Sequence, residues 1–223
     1  MKKYLFIILS VAVLVANAQI DSLTNVKSIL DSVYITDQFY RLQRDSVIKN
    51  FGFKSNEYEQ LKRKEYKQDS LNLIAVRQVI NEYGWLSKED IGYEANMALF
   101  LVVQHSSPKV QEEFYPILKD ALDNKKLEPK YFALFDDRVA SHKGEYQTYA
   151  TQLIMVPDFG YVFYPIKDVK NINKKRAQIG LGTIEEYSEN FGVEWSLDKY
   201  NEDLKHLRDF ANKYRIPFPD DLK

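Results

Sequence analysis

Several polar residues stand where an apolar pattern should continue, and their types decide what chemistry the chain could attempt. Gln104 follows Met97, Phe100 and Leu101 at the spacing i, i+3, i+4, i+7, which puts an amide on the buried stripe of a helix. His105 comes next, at the expected C-terminus of the same helix, where the dipole favours an imidazolium. A histidine there suits general acid or base work, since its charge is readily tuned near neutral pH. The plain alternative is a buried Gln–His pair that closes off carbonyls at a helix end. Arg138 follows Tyr131 and Leu134 at i, i+3, i+7, with Asp137 before it. An arginine turned inward must be paired with a carboxylate or must bind an anion.

A second polar run, Gln147-Thr148-Tyr149-Ala150-Thr151-Gln152, reads as the entry to a β-hairpin. In a strand Gln147, Tyr149 and Thr151 share one face and Gln152 takes the other. Such neutral donors and acceptors suit sugars, amides or peptides better than phosphates. An ordinary polar strand is the alternative. Asp37 and Arg41 lie at i, i+4, a spacing that allows a simple helix-surface ion pair. Asp69-x-x-Asn72 sets two short polar groups on one helix face, suited to hydrogen bonds between helices.

Other chemistries are missing from the sequence. There is no cysteine, so thiol catalysis, iron–sulfur clusters and cysteine-ligated zinc fall away. Three histidines without an H-E-x-x-H pattern argue against a metal site. No G-x-S-x-G elbow, Walker loop or dinucleotide fingerprint occurs, and no cofactor is implied. With 32 acidic residues, a glycosidase carboxylate pair cannot be singled out without coordinates. The formal charge of −1 and the lack of a basic block make nucleic acid a poor partner.

The elements that must position these residues start after an export leader. Lys2 and Lys3 precede the apolar run Tyr4 to Ala16, and Ala16-Asn17-Ala18 supplies a cleavage site before Gln19. That pattern is a signal peptide over residues 1–18. The run is short for a bilayer span, so the mature chain is expected to be extracytoplasmic, periplasmic or released, without a stable membrane span. Residues 19–223 read as a single, mainly α domain with one late β-hairpin packed on the helices. About 200 residues can bury an adequate core without disulfides.

Helical spacing of Leu23, Val26, Leu30 and Val33 predicts a helix over residues 21–34. Asp37 reads as the N-cap of a second helix running toward Asn50. Ser55 caps a long charged helix that Gly84 ends as a left-handed cap, with Trp85 packed back over it. Residues 95–103 are apolar on every face and predict a central buried helix. Ser107-Pro108 starts another, which Pro116 would kink, and Pro129 starts one more. Residues 149–166 read as the hairpin, turning at Pro157-Asp158-Phe159-Gly160. Thr183-x-x-Glu186 is a capping box, and Ser196 caps a last helix ending before Pro217.

Taken together, the polar interruptions resemble one family. Asp37-Gln38-x-x-Arg41, Asp69-x-x-Asn72, Gly84-Trp85, Gln104-His105, Gln111, Asp137-Arg138, Gln147-x-Tyr149-x-Thr151-Gln152 and Arg176-x-x-x-Gly180-Leu181 occur in the order shown by the bacterial domain-of-unknown-function family 6624. The resemblance covers residues 37–187. It departs at Ala150, where the pattern has glycine. It implies an exported class without a reaction, and polar residues that belong together in space.

Three functions fit these residues. In the first, Gln104, His105, Arg138, Gln147, Tyr149 and Gln152 bind a polar ligand such as envelope glycan or peptide. In the second, a hydrolase uses His105 as acid/base, Asp137 as its orienting partner and Arg138 as oxyanion stabiliser. That reading requires His105 to reach a carboxylate or a bound water, and to remain open to solvent. In the third, the polar set is an internal network and function lies on the surface.

Overall fold

The computed structural model describes residues 22–157 and 159–222. The export leader expected over residues 1–18 lies outside the described residues, as does Asp158 of the hairpin loop. The chain is mainly helical, with a single two-stranded hairpin among the described residues. It divides into two compact units, one through Ser107 and one from Pro108 onward.

The first unit is all helix. It comprises α1 (Lys2–Arg41, described from Ser22 onward), α2 (Arg44–Phe51), α3 (Asn56–Tyr83), α4 (Lys88–Ile91) and α5 (Tyr93–Gln104). The break expected after Tyr34 does not occur, and α1 continues unbroken to Arg41. No glycine or proline interrupts it there, and the buried stripe Val26, Leu30, Val33 extends one further step to Asp37. Asp37 is therefore a buried helix-interior residue rather than an N-cap. Leu30 has no exposed surface, a burial worth about 1.5–3 kcal/mol for such a side chain.

Ser55 caps α3 by accepting from the Tyr58 N–H. Gly84 ends α3 at φ +69° with an extended ψ of −165°, so the cap is not the left-handed one expected, although the positive φ still favours glycine. Trp85 beside it is buried. The predominantly apolar α5 packs against α1, α3 and α4. Ala95, Ala98, Leu99 and Val103 on it are fully buried, as a helix without a polar face requires.

The second unit opens with α6 (Pro108–Asp123) packed on α7 (Pro129–Lys143). The hairpin follows as β1 (Leu153–Val156) and β2 (Gly160–Phe163), antiparallel with Ile154 opposite Val162. Then come α8 (Ile172–Gln178), α9 (Ile184–Glu189) and α10 (Leu197–Tyr214). One sheet face sends Val156, Val162 and Tyr164 into a core with Leu207 and Ala211 of α10. The other contributes Phe163 to a core with Ile172, Ile184 and Tyr200. A lone hairpin is marginal in water, and these two cores stabilise it. The capping box at Thr183–Glu186 and the Ser196 cap of α10 both form.

The strands are shorter than the sequence suggests. Residues 147–152 are not strand but an irregular segment that turns at Ala150, whose φ is +54°. A positive φ of this kind costs a residue other than glycine about 1–2 kcal/mol. The expected strand alternation of Gln147, Tyr149 and Thr151 therefore does not apply.

Candidate functional site

Three helices of the first unit bring one set of polar residues together. His105 is the C-cap of α5, and its side chain is 23% exposed. Its Nδ1 lies 3.1 Å from Asp37 Oδ2 and 3.2 Å from Oδ1. Asp37 comes from the packed face of α1, one turn before its C-terminus, and is 1% exposed. A buried carboxylate of this kind persists only if its lone pairs are taken. They are: Gln38 Nε2 donates to Oδ2 at 2.7 Å, and Arg41 pairs with Oδ1 at 3.3 Å. Burial by itself would raise the Asp37 carboxyl, but the His105 hydrogen bond and charge, then Arg41 and Gln38, outweigh it and hold the group below its ordinary range.

An ionised Asp37 has no proton to give, so the proton shared with His105 resides on Nδ1. In the neutral ring Nε2 then carries the lone pair. No second hydrogen bond to the ring occurs among the described residues. A carboxylate-oriented imidazole with a free Nε2 is the arrangement that general acid/base catalysis needs.

Arg41 ends α1 and faces two carboxylates. Besides Asp37, it donates from Nη2 to Asp69 Oδ2 of α3 at 2.9 Å. Burial pushes the Asp69 carboxyl up, Arg41 opposes this, and Asp37 and Glu65 add to it. One turn along α3, Asn72 Oδ1 accepts from Thr36 of α1 and from Gln68, both at 2.9 Å. Arg44 of α2 forms a two-pronged pair with the buried Glu65. The Asp69-x-x-Asn72 pair thus makes the inter-helix hydrogen bonds that its spacing suggests. Gln104, on the last turn of α5, is buried as its position on the apolar stripe requires.

The remaining expected residues lie in the second unit. Asp137 of α7 has no exposed surface. Its carboxylate accepts from the N–H groups of Thr148 (2.7 Å), Tyr149 (3.1 Å) and Thr151 (3.1 Å), and from Thr151 Oγ1 (3.0 Å). Burial raises its pKa and these four donors lower it, with the net direction upward. Gln147 is fully buried. Its Nε2 donates to the carbonyls of Gln152 and Tyr164, and its Oε1 accepts from the Gln152 N–H. Gln152 is half-buried and donates to Thr151 Oγ1 and the Leu134 carbonyl. Arg176 closes the same segment from the other side through the carbonyls of Tyr149, Ala150 and Gly182. Its guanidinium stacks on Tyr187, 4.8 Å from the ring centroid. Tyr149 is left half-buried on this pinned loop. Arg138 is half-buried on α7.

The ordered residues thus gather in two places, and the model of a family of unknown function, DUF6624, matches residues 28–198. The chain belongs to DUF6624. No curated protein and no solved structure matches the chain. The DUF6624 match reaches beyond the 37–187 expected from motifs at both ends. Within it, Asp37, Gln38, Arg41, Asp69, Asn72 and His105 form the cluster of the first unit. Asp137, Gln147, Thr151 and Arg176 form the loop clamp of the second.

Asp37 is the residue whose role the sequence reading missed. The carboxylate on His105 is Asp37, whereas Asp137 is committed to its own loop. The signal was present: Val26, Leu30, Val33 and Asp37 repeat at 4, 3 and 4 residues, which places an acid on a buried stripe.

Proposed function

We propose that this chain is an exported protein that performs acid/base chemistry, of which hydrolysis of a polar envelope molecule is the simplest form. His105 is the acid/base, and Asp37 orients it. In the hydrolytic step Nε2 takes a proton from water as the water oxygen bonds to the substrate carbon. Nε2 then returns that proton to the departing group as its bond breaks. The observation that carries this reading is the 3.1 Å contact between Nδ1 and a buried Asp37 whose lone pairs are otherwise filled, on a ring that keeps 23% exposure. The leader over residues 1–18 supports export.

A binding role for a polar ligand, such as envelope glycan or peptide, draws separate support from Tyr149. Its backbone is held on both sides by Asp137 and Arg176, while its ring stays only half-buried. A side chain on so constrained a backbone costs little entropy to engage.

The test is turnover by mature wild type and His105→Gln on a panel of chromogenic esters, amides and glycosides and on isolated envelope fragments. The proposal expects release from at least one substrate class, reduced at least about a hundredfold by the substitution. Equal rates for the two proteins on every substrate would overturn the catalytic reading.

A further inference from the structure

Arg41 is divided between two acids. Its Nη1 side serves Asp37, through the backbone carbonyl and Oδ1, and its Nη2 reaches Asp69 Oδ2 at 2.9 Å. Arg41 is only 12% exposed and is the last residue of α1, beyond which the helix gives no further support. A guanidinium is a rigid planar fork. Fixing one edge on α3 therefore fixes how the other edge meets Asp37, and Asp37 in turn fixes the His105 ring.

We propose that Asp69 is a positioning residue for His105, acting through Arg41 and Asp37. The inference rests on His105 being the working group. The chain of contacts is Asp69 to Arg41 to Asp37 to His105, and it ties α3, α1 and α5 together at one end of the first unit. The ion pairs of Arg41 are with Asp37 and Asp69, while Glu65, which also acts on Asp69, is itself paired with Arg44 of α2. The Arg41 charge is thus left to the two aspartates. Without the Asp69 carboxylate the guanidinium turns wholly onto Asp37, whose hold on the Nδ1 proton weakens.

The experiment is hydrogen exchange of the His105 Nδ1 proton, read by NMR, in the mature protein and its Asp69→Asn, Asp69→Glu and Arg41→Lys variants. Circular dichroism confirms that each variant folds. Asp69→Asn keeps the shape and a weak acceptor but removes the charge, and exchange is expected to speed up about tenfold. Arg41→Lys keeps the charge but reaches one partner at a time, and a similar acceleration is expected. Asp69→Glu restores a carboxylate and is expected to stay within about twofold of wild type. Unchanged exchange in Asp69→Asn, or equal acceleration in Asp69→Asn and Asp69→Glu, overturns the proposal. If turnover proves independent of His105 while exchange follows the expected order, the catalytic reading fails and the positioning chain stands. If turnover depends on His105 but exchange ignores Asp69, the reverse holds.

Discussion

Asp37 and His105 stand 68 residues apart in the chain and 3.1 Å apart in space. One is nearly sealed and the other is not, and the proposed roles follow that asymmetry. A sealed carboxylate with filled lone pairs can orient and stabilise a charge but cannot meet a substrate. A ring with partial exposure can.

The sign of the Asp37 shift sets an acid dependence. Its pKa is lowered in the folded protein, so its contribution to stability is fully present above the unfolded value, about 3.9, and is lost as pH falls through the lower folded value. Asp37→Asn is expected to cost about 1.5–3 kcal/mol at pH 7, as loss of hydrogen bonds to a charged group does. The gap between wild type and variant should hold down to about pH 4 and close below it. Asp69 and Asp137 are shifted upward, so each carries the opposite sign: stability from these two rises as pH falls through their folded values. Urea unfolding at a series of pH values measures the balance, and a gap that closed above pH 5 would contradict the assignment.

Asp137 is a stability residue. Substitution to alanine takes the acceptor from three backbone N–H groups and from the Thr151 hydroxyl proton, at about 1 kcal/mol or more each. A loss of at least about 3 kcal/mol is expected. Each unit contains one tryptophan, Trp85 in the first and Trp195 in the second. In a Trp85→Phe background the Trp195 emission reports the second unit alone, and its urea midpoint is expected to fall sharply. An unshifted midpoint would mean the clamp is dispensable.

Much of this was legible in the sequence, and the gaps have physical causes. The helix caps at Ser55, Thr183 and Ser196 and the starts at Pro108 and Pro129 follow from local chemistry, which acts within one turn. The burial of residues 95–103 of α5 follows from their almost wholly apolar side chains. The continuity of α1 through Asp37 is not evident locally, because aspartate is a good N-cap, and His105 of the distant α5 joins Gln38 and Arg41 in satisfying it inside the helix. The loop at residues 147–152 was read as strand because its residue types suit a sheet. A buried acid fourteen residues upstream of Thr151 collects its N–H groups instead, and nothing in the loop's own sequence announces that. The same distance effect hid the true partner of His105.

His105 itself should matter little for stability. If the ring is removed, Asp37 keeps Gln38 and Arg41, so no buried charge is stranded. His105→Ala is expected to cost about 0.5–1.5 kcal/mol and Asp37→Ala about 1.5–3 kcal/mol, because the latter takes a charged acceptor from Gln38, Arg41 and His105 at once while Arg41 keeps Asp69. Trp85 emission in a Trp195→Phe background follows both. Equal losses would favour a purely structural network.

The claim that everything else depends on is that Asp37 holds His105 with its proton on Nδ1 and its lone pair on Nε2. Long-range proton–nitrogen correlation NMR of the neutral ring measures this directly. The account expects Nδ1 to show the protonated nitrogen signature and Nε2 the unprotonated one, with both reverting toward the solution mixture in Asp37→Asn. A ring protonated on Nε2 in the wild type, or a tautomer indifferent to Asp37, would contradict it.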